Sequence, residues 1–123
     1  MRKISFTILY PRGMGFSKKY SLNAIYSGKH WKARQADAKF WNSLVHSELV
    51  RQGIKKQIFK KPVRIYFFWN DKMDCSNHAY MGKMIEDALK GWIIEDDSRK
   101  YVKEITHGFH SGKFIFVRLE EVK

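Results

Sequence analysis

Two stretches of the chain repeat apolar residues at helical spacing, and four carry the short β-branched or aromatic runs of strands. Residues 4–10, ISFTILY, predict a strand that stops at Pro11. Residues 11–29 read as a loop holding Gly13, Gly15, Gly28, Lys18 and Lys19. Residues 30–52 form the first predicted helix. In it Trp31, Arg34, Ala38, Trp41, Leu44/Val45 and Leu49 keep helical spacing, and Gly53 ends it. Pro62 opens a second strand, VRIYFFW at 63–69, apolar on both faces as a central strand is. A polar loop from Asp71 to Asn77 leads to a second helix over 78–91. Met81, Met84/Ile85 and Ala88/Leu89 make its stripe, Ser76 or Asn77 can cap it, and Gly91 ends it. The link WII, the turn EDDS and two strands near 100–108 and 113–120, joined by HSG, complete the chain. The expected fold is α/β (α+β), one small domain over 1–123 in the order β-α-β-α-β-β. Its mixed sheet is packed by two helices.

Composition narrows the function. With 44% hydrophobic and 15% aromatic residues the chain can bury a core, which argues against a disordered chain. Cys75 is the single cysteine, so no intramolecular disulfide forms and a reducing compartment is expected. The apolar run near the N-terminus ends at Pro11, so it reads as a strand and not as a signal peptide. No apolar run is long enough to predict a membrane span. The net charge is +12, from 24 Lys+Arg against 12 Asp+Glu. Such an excess costs self-repulsion, and a polyanion, nucleic acid first, is the natural partner. A membrane surface fits less well, since no basic amphipathic helix leaves a free apolar face. A basic protein with no polyanionic partner is the plainer alternative.

The acids are not spread evenly. Seven of the twelve lie between Asp71 and Asp97, with only Lys72, Lys83 and Lys90 among them. That window nets −4 and the remainder +16. Asp74 follows a strand, and Asp96 and Asp97 follow the second helix, so the groups can converge if that helix packs back on the sheet. Clustered carboxylates repel unless a cation holds them. Oxygen ligands suit Mg²⁺, with Mn²⁺ as a substitute, and point to phosphodiester hydrolysis. Lys83 could aim its charge at a phosphate, or simply pair with Asp87 four residues on. Asp96 and Asp97 could equally be solvated turn residues, and Glu86 and Glu95 read as solvated. The five histidines lack zinc spacing, and no Walker or dinucleotide loop is present; GMG at 13–15 is too short to count. Trp31, Trp41, Phe40 and Tyr26 could stack on bases, with Trp41 reading as core.

These residues carry a resemblance. MDCSNHAYMGKMIEDALKGWIIEDDSRKYV is similar to the core of the RusA-type Holliday junction resolvases of bacteria, prophages and phages. Asp74, Ser76 and Asn77 match that family's Asp-x-Asp-Asn element, Lys83 its helix lysine, DAL at 87–89 its helix end, and Asp96–Asp97 its turn. SLNAIYSGKHWKARQADAKFWNSLV resembles its N-terminal loop and first helix, so the likeness covers nearly the whole chain. It implies a RusA-like α/β homodimer and a Mg²⁺-dependent endonuclease of DNA recombination and repair, nicking four-way junctions symmetrically. The setting would be the cytoplasm of a bacterial or phage-infected cell. Carried over, Asp74, Asp97 and Lys83 are catalytic, and Asp74, Asp97 and Asp96 bind metal, with Asp71 and Ser76 as further candidates. Asn77 supports the helix start. Two departures stand out. Ser76 replaces an aspartate, and the Asn77–Lys83 spacing is longer than in the best-known members. A branched-DNA-binding protein with a degraded metal site is the alternative. The expected DNA surface is Arg12, Lys18, Lys19, Lys29, Lys32 and Arg34, contacting phosphate and reading shape. KKQIFKK at 55–61 could extend it or be a solvated linker.

Overall fold

The computed structural model describes residues 2–12 and 16–122. The GMG stretch at 13–15 lies outside them. The strands are β1 (Lys3–Leu9), β2 (Val63–Trp69), β3 (Val102–Phe109) and β4 (Phe114–Glu121). The helices are α1 (Phe16–Tyr20), α2 (Leu22–Tyr26), α3 (Trp31–Arg51) and α4 (Ala79–Leu89). The sheet is mixed, in the order β1-β4-β2-β3. β4 runs antiparallel to both β1 and β2, while β2 and β3 are parallel and joined across α4. No described helix is long and apolar enough to cross a membrane.

Alternation along each strand sends one row of side chains to the helices. From β2 that row is Val63, Ile65, Phe67 and Trp69, all fully buried, and Ile115, Val117 and Leu119 of β4 continue it. Trp41, Val45 and Leu49 of α3 and Met81, Ile85 and Leu89 of α4 cover this face. Each such buried side chain contributes about 1.5–3 kcal/mol. Gly53 and Gly91 hold φ at +72° and +78°, which is why the helices stop there.

β2 departs from the expected strand buried on both faces. Arg64, Tyr66 and Phe68 point to the second face and are only half-buried. No described helix covers that side. The Arg118 guanidinium lies 4.5 Å from the Tyr66 ring centroid and 5.7 Å from that of Phe68, shielding the rings in place of a second layer.

The expected loop over 11–29 holds α1 and α2. Ser21 separates them and caps α2, its Oγ accepting from the Ala24 N–H at 3.2 Å. Each helix has five residues, too few to display a period, and Tyr20 fixes them to the core at 5% exposure. A second difference lies before α4. Ser76 and Asn77 sit inside a 3-10 turn, Cys75–His78, and the position preceding α4 is His78, which makes no side-chain cap bond. The turn satisfies its own amides, with Asn77 N–H donating to the Asp74 carbonyl at 3.0 Å.

The outer edge of β1 is closed by α3. Gln52 accepts from the Thr7 N–H at 2.9 Å and returns a bond to the Thr7 carbonyl at 2.7 Å. Glu48 accepts from the Leu9 N–H at 3.0 Å. Burial pushes the Glu48 carboxyl up, but Arg51 and the Leu9 amide outweigh it and hold it below its usual range. Backbone groups an edge strand would expose are thereby paired.

Candidate active site and nucleic-acid surface

The chain leaving β2 is fastened before it reaches Asp74. Asp71 accepts from Tyr10 Oη at 2.9 Å and from the Met73 N–H at 2.9 Å, and His78 Nε2 lies 2.8 Å from it. His78 is fully buried and stacks on Trp69 with centroids 4.5 Å apart. The Asn70 side chain donates to the Gly112 carbonyl at 2.8 Å. Asp71 therefore clamps this loop to Tyr10, Met73 and His78 with the carboxylate that is also a candidate for a metal. Asp74 and Ser76 are exposed on this stiffened loop, and among the described residues their side chains make no hydrogen bond.

The second cluster forms on α4. Lys83, Glu86, Asp87 and Lys90 fall at i, i+3, i+4 and i+7, one helical face. Beyond Gly91, the buried Ile93 and Ile94 fold the chain back, and Asp97 returns to that face. Lys83 Nζ donates to Asp97 and, at 2.9 Å, to Asp87. Lys90 Nζ stands 3.1 Å from Asp87, 3.2 Å from Asp97 and 4.0 Å from Asp96. The Lys83 hydrogen bond, helped by Lys90 and opposed by burial, holds the Asp97 carboxyl well below its usual range. Burial alone would lower Lys83, but its bonds to Asp97 and Asp87 prevail and raise it, so it stays charged. Lys83–Asp87 is therefore a surface pair and also part of a larger network that includes Asp97.

Glu86 is not solvated as expected. Its side chain is 5% exposed, 3.7 Å from Lys83 Nζ. Burial pushes its carboxyl up, Lys83 pulls it down, and neighbouring Asp97 and Asp87 raise it further. Its spacing from Lys83 was the available sign of this role, since i and i+3 share a helix face.

Among the described residues Asp74 makes no hydrogen bond or ion pair with the Lys83–Asp97 cluster. Asp74 precedes the 3-10 turn, whereas Asp97 contacts Lys83 and Lys90 in the later turns of α4 and just past its end. Among the described residues no three His, Cys, Asp or Glu side chains are grouped to hold a metal ion. The donors are carboxylates, the chemistry of a hard cation, but the positive charge they surround is Lys83 and not a prebuilt cage.

The basic surface is divided. Arg12, Lys18, Lys19, Lys32 and Arg34 are exposed and free to meet phosphate. Arg34 and Trp31, the latter 57% exposed, share a groove of about 470 Å³ with Tyr80, Lys83 and Asp87, so part of the expected DNA surface adjoins the Lys83 cluster. Lys29 departs from expectation. Its side chain is 13% exposed and paired with Asp37, itself 4% exposed, and its Nζ also donates to the Lys19 carbonyl. Tyr80 Oη donates to the same Asp37 at 2.7 Å. Lys29 thus joins α3 and α4 to the segment before them. In the 55–61 run, Phe59 is buried and its N–H donates to the Ile93 carbonyl at 2.9 Å, leaving the four lysines exposed. Trp41 is core, as expected, while Phe40 and Tyr26 stay exposed.

No protein-family model matches the chain, and no curated protein matches it.

Proposed function

We propose that the chain is a metal-dependent, structure-selective DNA endonuclease that resolves four-way junctions by paired nicks, acting as a homodimer, as its RusA-type resemblance implies. One observation carries the reading: Lys83 bonds Asp97 across 14 residues of sequence, and these are two of the three residues the resemblance makes catalytic. Lys83, kept protonated by its carboxylates, is a fixed positive charge for a phosphate that enters the groove beside Arg34 and Trp31. Asp97, kept ionised, offers a carboxylate at the same point. The proposed cofactor, Mg²⁺ or Mn²⁺, supplies Lewis-acid polarisation and an acidified water when bound. The exposed cations Arg12, Lys18, Lys19 and Lys32 contribute phosphate contacts that read shape.

Two observations favour a second reading, a junction-binding protein that does not cut. Ser76 brings no charge, and the carboxylates form no cage among the described residues. Cleavage of a synthetic four-way junction against linear duplex, with and without Mg²⁺ or Mn²⁺, separates them. Paired nicks abolished by Asp74→Asn or Asp97→Asn support the endonuclease. Tight junction binding without cleavage in any divalent ion leaves the binding protein, and Ser76→Asp then tests whether a lost carboxylate is the reason. No preference for the junction removes both.

A further inference from the structure

Beyond that reading, we infer that the cavity between α1 and α3 is a pocket for one unstacked nucleotide whose base presents hydrogen-bond donors, guanine above all. The cavity measures about 670 Å³, inside the roughly 300–1,000 Å³ range of small-ligand sites. Three chemistries meet in it. Phe16 and Phe40 line it as flat apolar surfaces, and Phe40 is 45% exposed although its neighbour Trp41 is fully buried. Tyr20 stacks on Phe40 with rings 8° from parallel. Arg12 and Lys19 are exposed cations on the lining, placed to meet a phosphate.

The third chemistry is Asp37, which also lines the cavity while only 3% exposed. Its two partners, Lys29 and Tyr80, both engage Oδ2. Among the described residues Oδ1 accepts no hydrogen bond, and it remains an acceptor for whatever fills the cavity. A carboxylate in a cavity lined by aromatic rings selects among bases. Guanine offers N1–H and N2–H side by side, adenine and cytosine one amino group, and thymine a single N–H flanked by carbonyl oxygens that a carboxylate repels. Stacking supplies affinity for any base, and Asp37 supplies the preference.

The nucleotide could be free or part of DNA that has lost its stacking, so two probes are used with the full chain. One is dGMP against dTMP by isothermal titration. The other is a hairpin duplex with one unpaired deoxyguanosine, against the same duplex with an unpaired thymidine. The expected result is guanine-preferring binding to at least one probe, weakened about tenfold by Phe40→Ala, whose side chain is exposed and leaves the core intact. Asp37→Asn should erase the guanine preference while stacking affinity persists. Binding of the hairpin alone assigns the pocket to DNA, and binding of dGMP alone to a free nucleotide. The proposal is overturned if neither probe binds, if Phe40→Ala leaves binding unchanged, or if thymine binds as tightly as guanine. None of these readouts needs strand cleavage, so the resolvase reading stands or falls separately.

Discussion

Replacing Lys29 with Met tests whether this cation belongs to the fold or to the DNA surface. Met keeps the aliphatic stem and removes the ammonium, leaving Asp37 with Tyr80 as its remaining partner in a site 3% exposed. Removing one member of a buried pair destabilises by about 3–5 kcal/mol, since the other charge is left uncompensated. At roughly 2.1 cal/mol/K of unfolding entropy per residue, the chain's 123 residues give about 0.26 kcal/mol/K. The melting temperature should therefore fall by roughly 12–19 °C. Lys32 provides the contrast, being exposed and without an ion pair among the described residues. Lys32→Ala should leave melting unchanged and flatten the log–log salt dependence of junction binding by about 0.9 if it neutralises one phosphate. Differential scanning calorimetry and binding titrations from 50 to 200 mM salt read both quantities. A Lys29→Met protein that melts within about 3 °C of wild type but loses salt dependence would refute the reasoning, because Lys29 would then be a phosphate contact.

Two further outcomes follow from the same geometry. The folded Asp97 carboxyl sits below its unfolded value of about 3.9, so its contribution is present above that pH and fades as pH falls through the folded value. Wild type should lose stability relative to Asp97→Asn below about pH 4, by under about 1 kcal/mol because the Lys83 side chain is 55% exposed; melting at pH 6 and pH 3 checks it. Gly82→Ala should destabilise by about 1–3 kcal/mol in denaturant titration, although Ala favours helix. The added Cβ would meet His107 Cε1 at 2.8 Å and Phe67 Cε2 at 3.5 Å, both under α4.

Regular elements were legible wherever a period ran long enough. α3, with 21 residues, and β2, with seven, need no distant partner to be recognised. α1 and α2 were not legible, because five residues make little more than one turn and are held by Tyr20 and the Ser21 cap. Buried polar groups escaped for another reason. Asp37 and Glu48 sit on a polar-looking helix, and what buries them arrives from Tyr80, 43 residues away, and from the Leu9 amide, 39 away. Within the candidate site, Lys83 and Asp97 could be named from motif residues and are joined in the structure. The clamp that Asp71 forms was not legible, since it depends on Tyr10, 61 residues away. The strand order was likewise hidden, because β4 enters between β1 and β2 through pairings that local pattern does not encode.

That position of β4 bears on how the protein is made. Among the described residues β1 pairs only with β4, Lys3 opposite Glu120 and Leu9 opposite Phe114, so β1 waits for a strand made more than 100 residues later. Until residues 114–121 leave the ribosome, β2 lacks one neighbour, and its VRIYFFW segment is an apolar, β-prone edge of the kind that aggregates. Contacts so distant in sequence also slow folding. Production of this protein at high expression rates should accordingly be limited by the interval between the second strand and the fourth, and slower translation or lower temperature should raise the soluble yield.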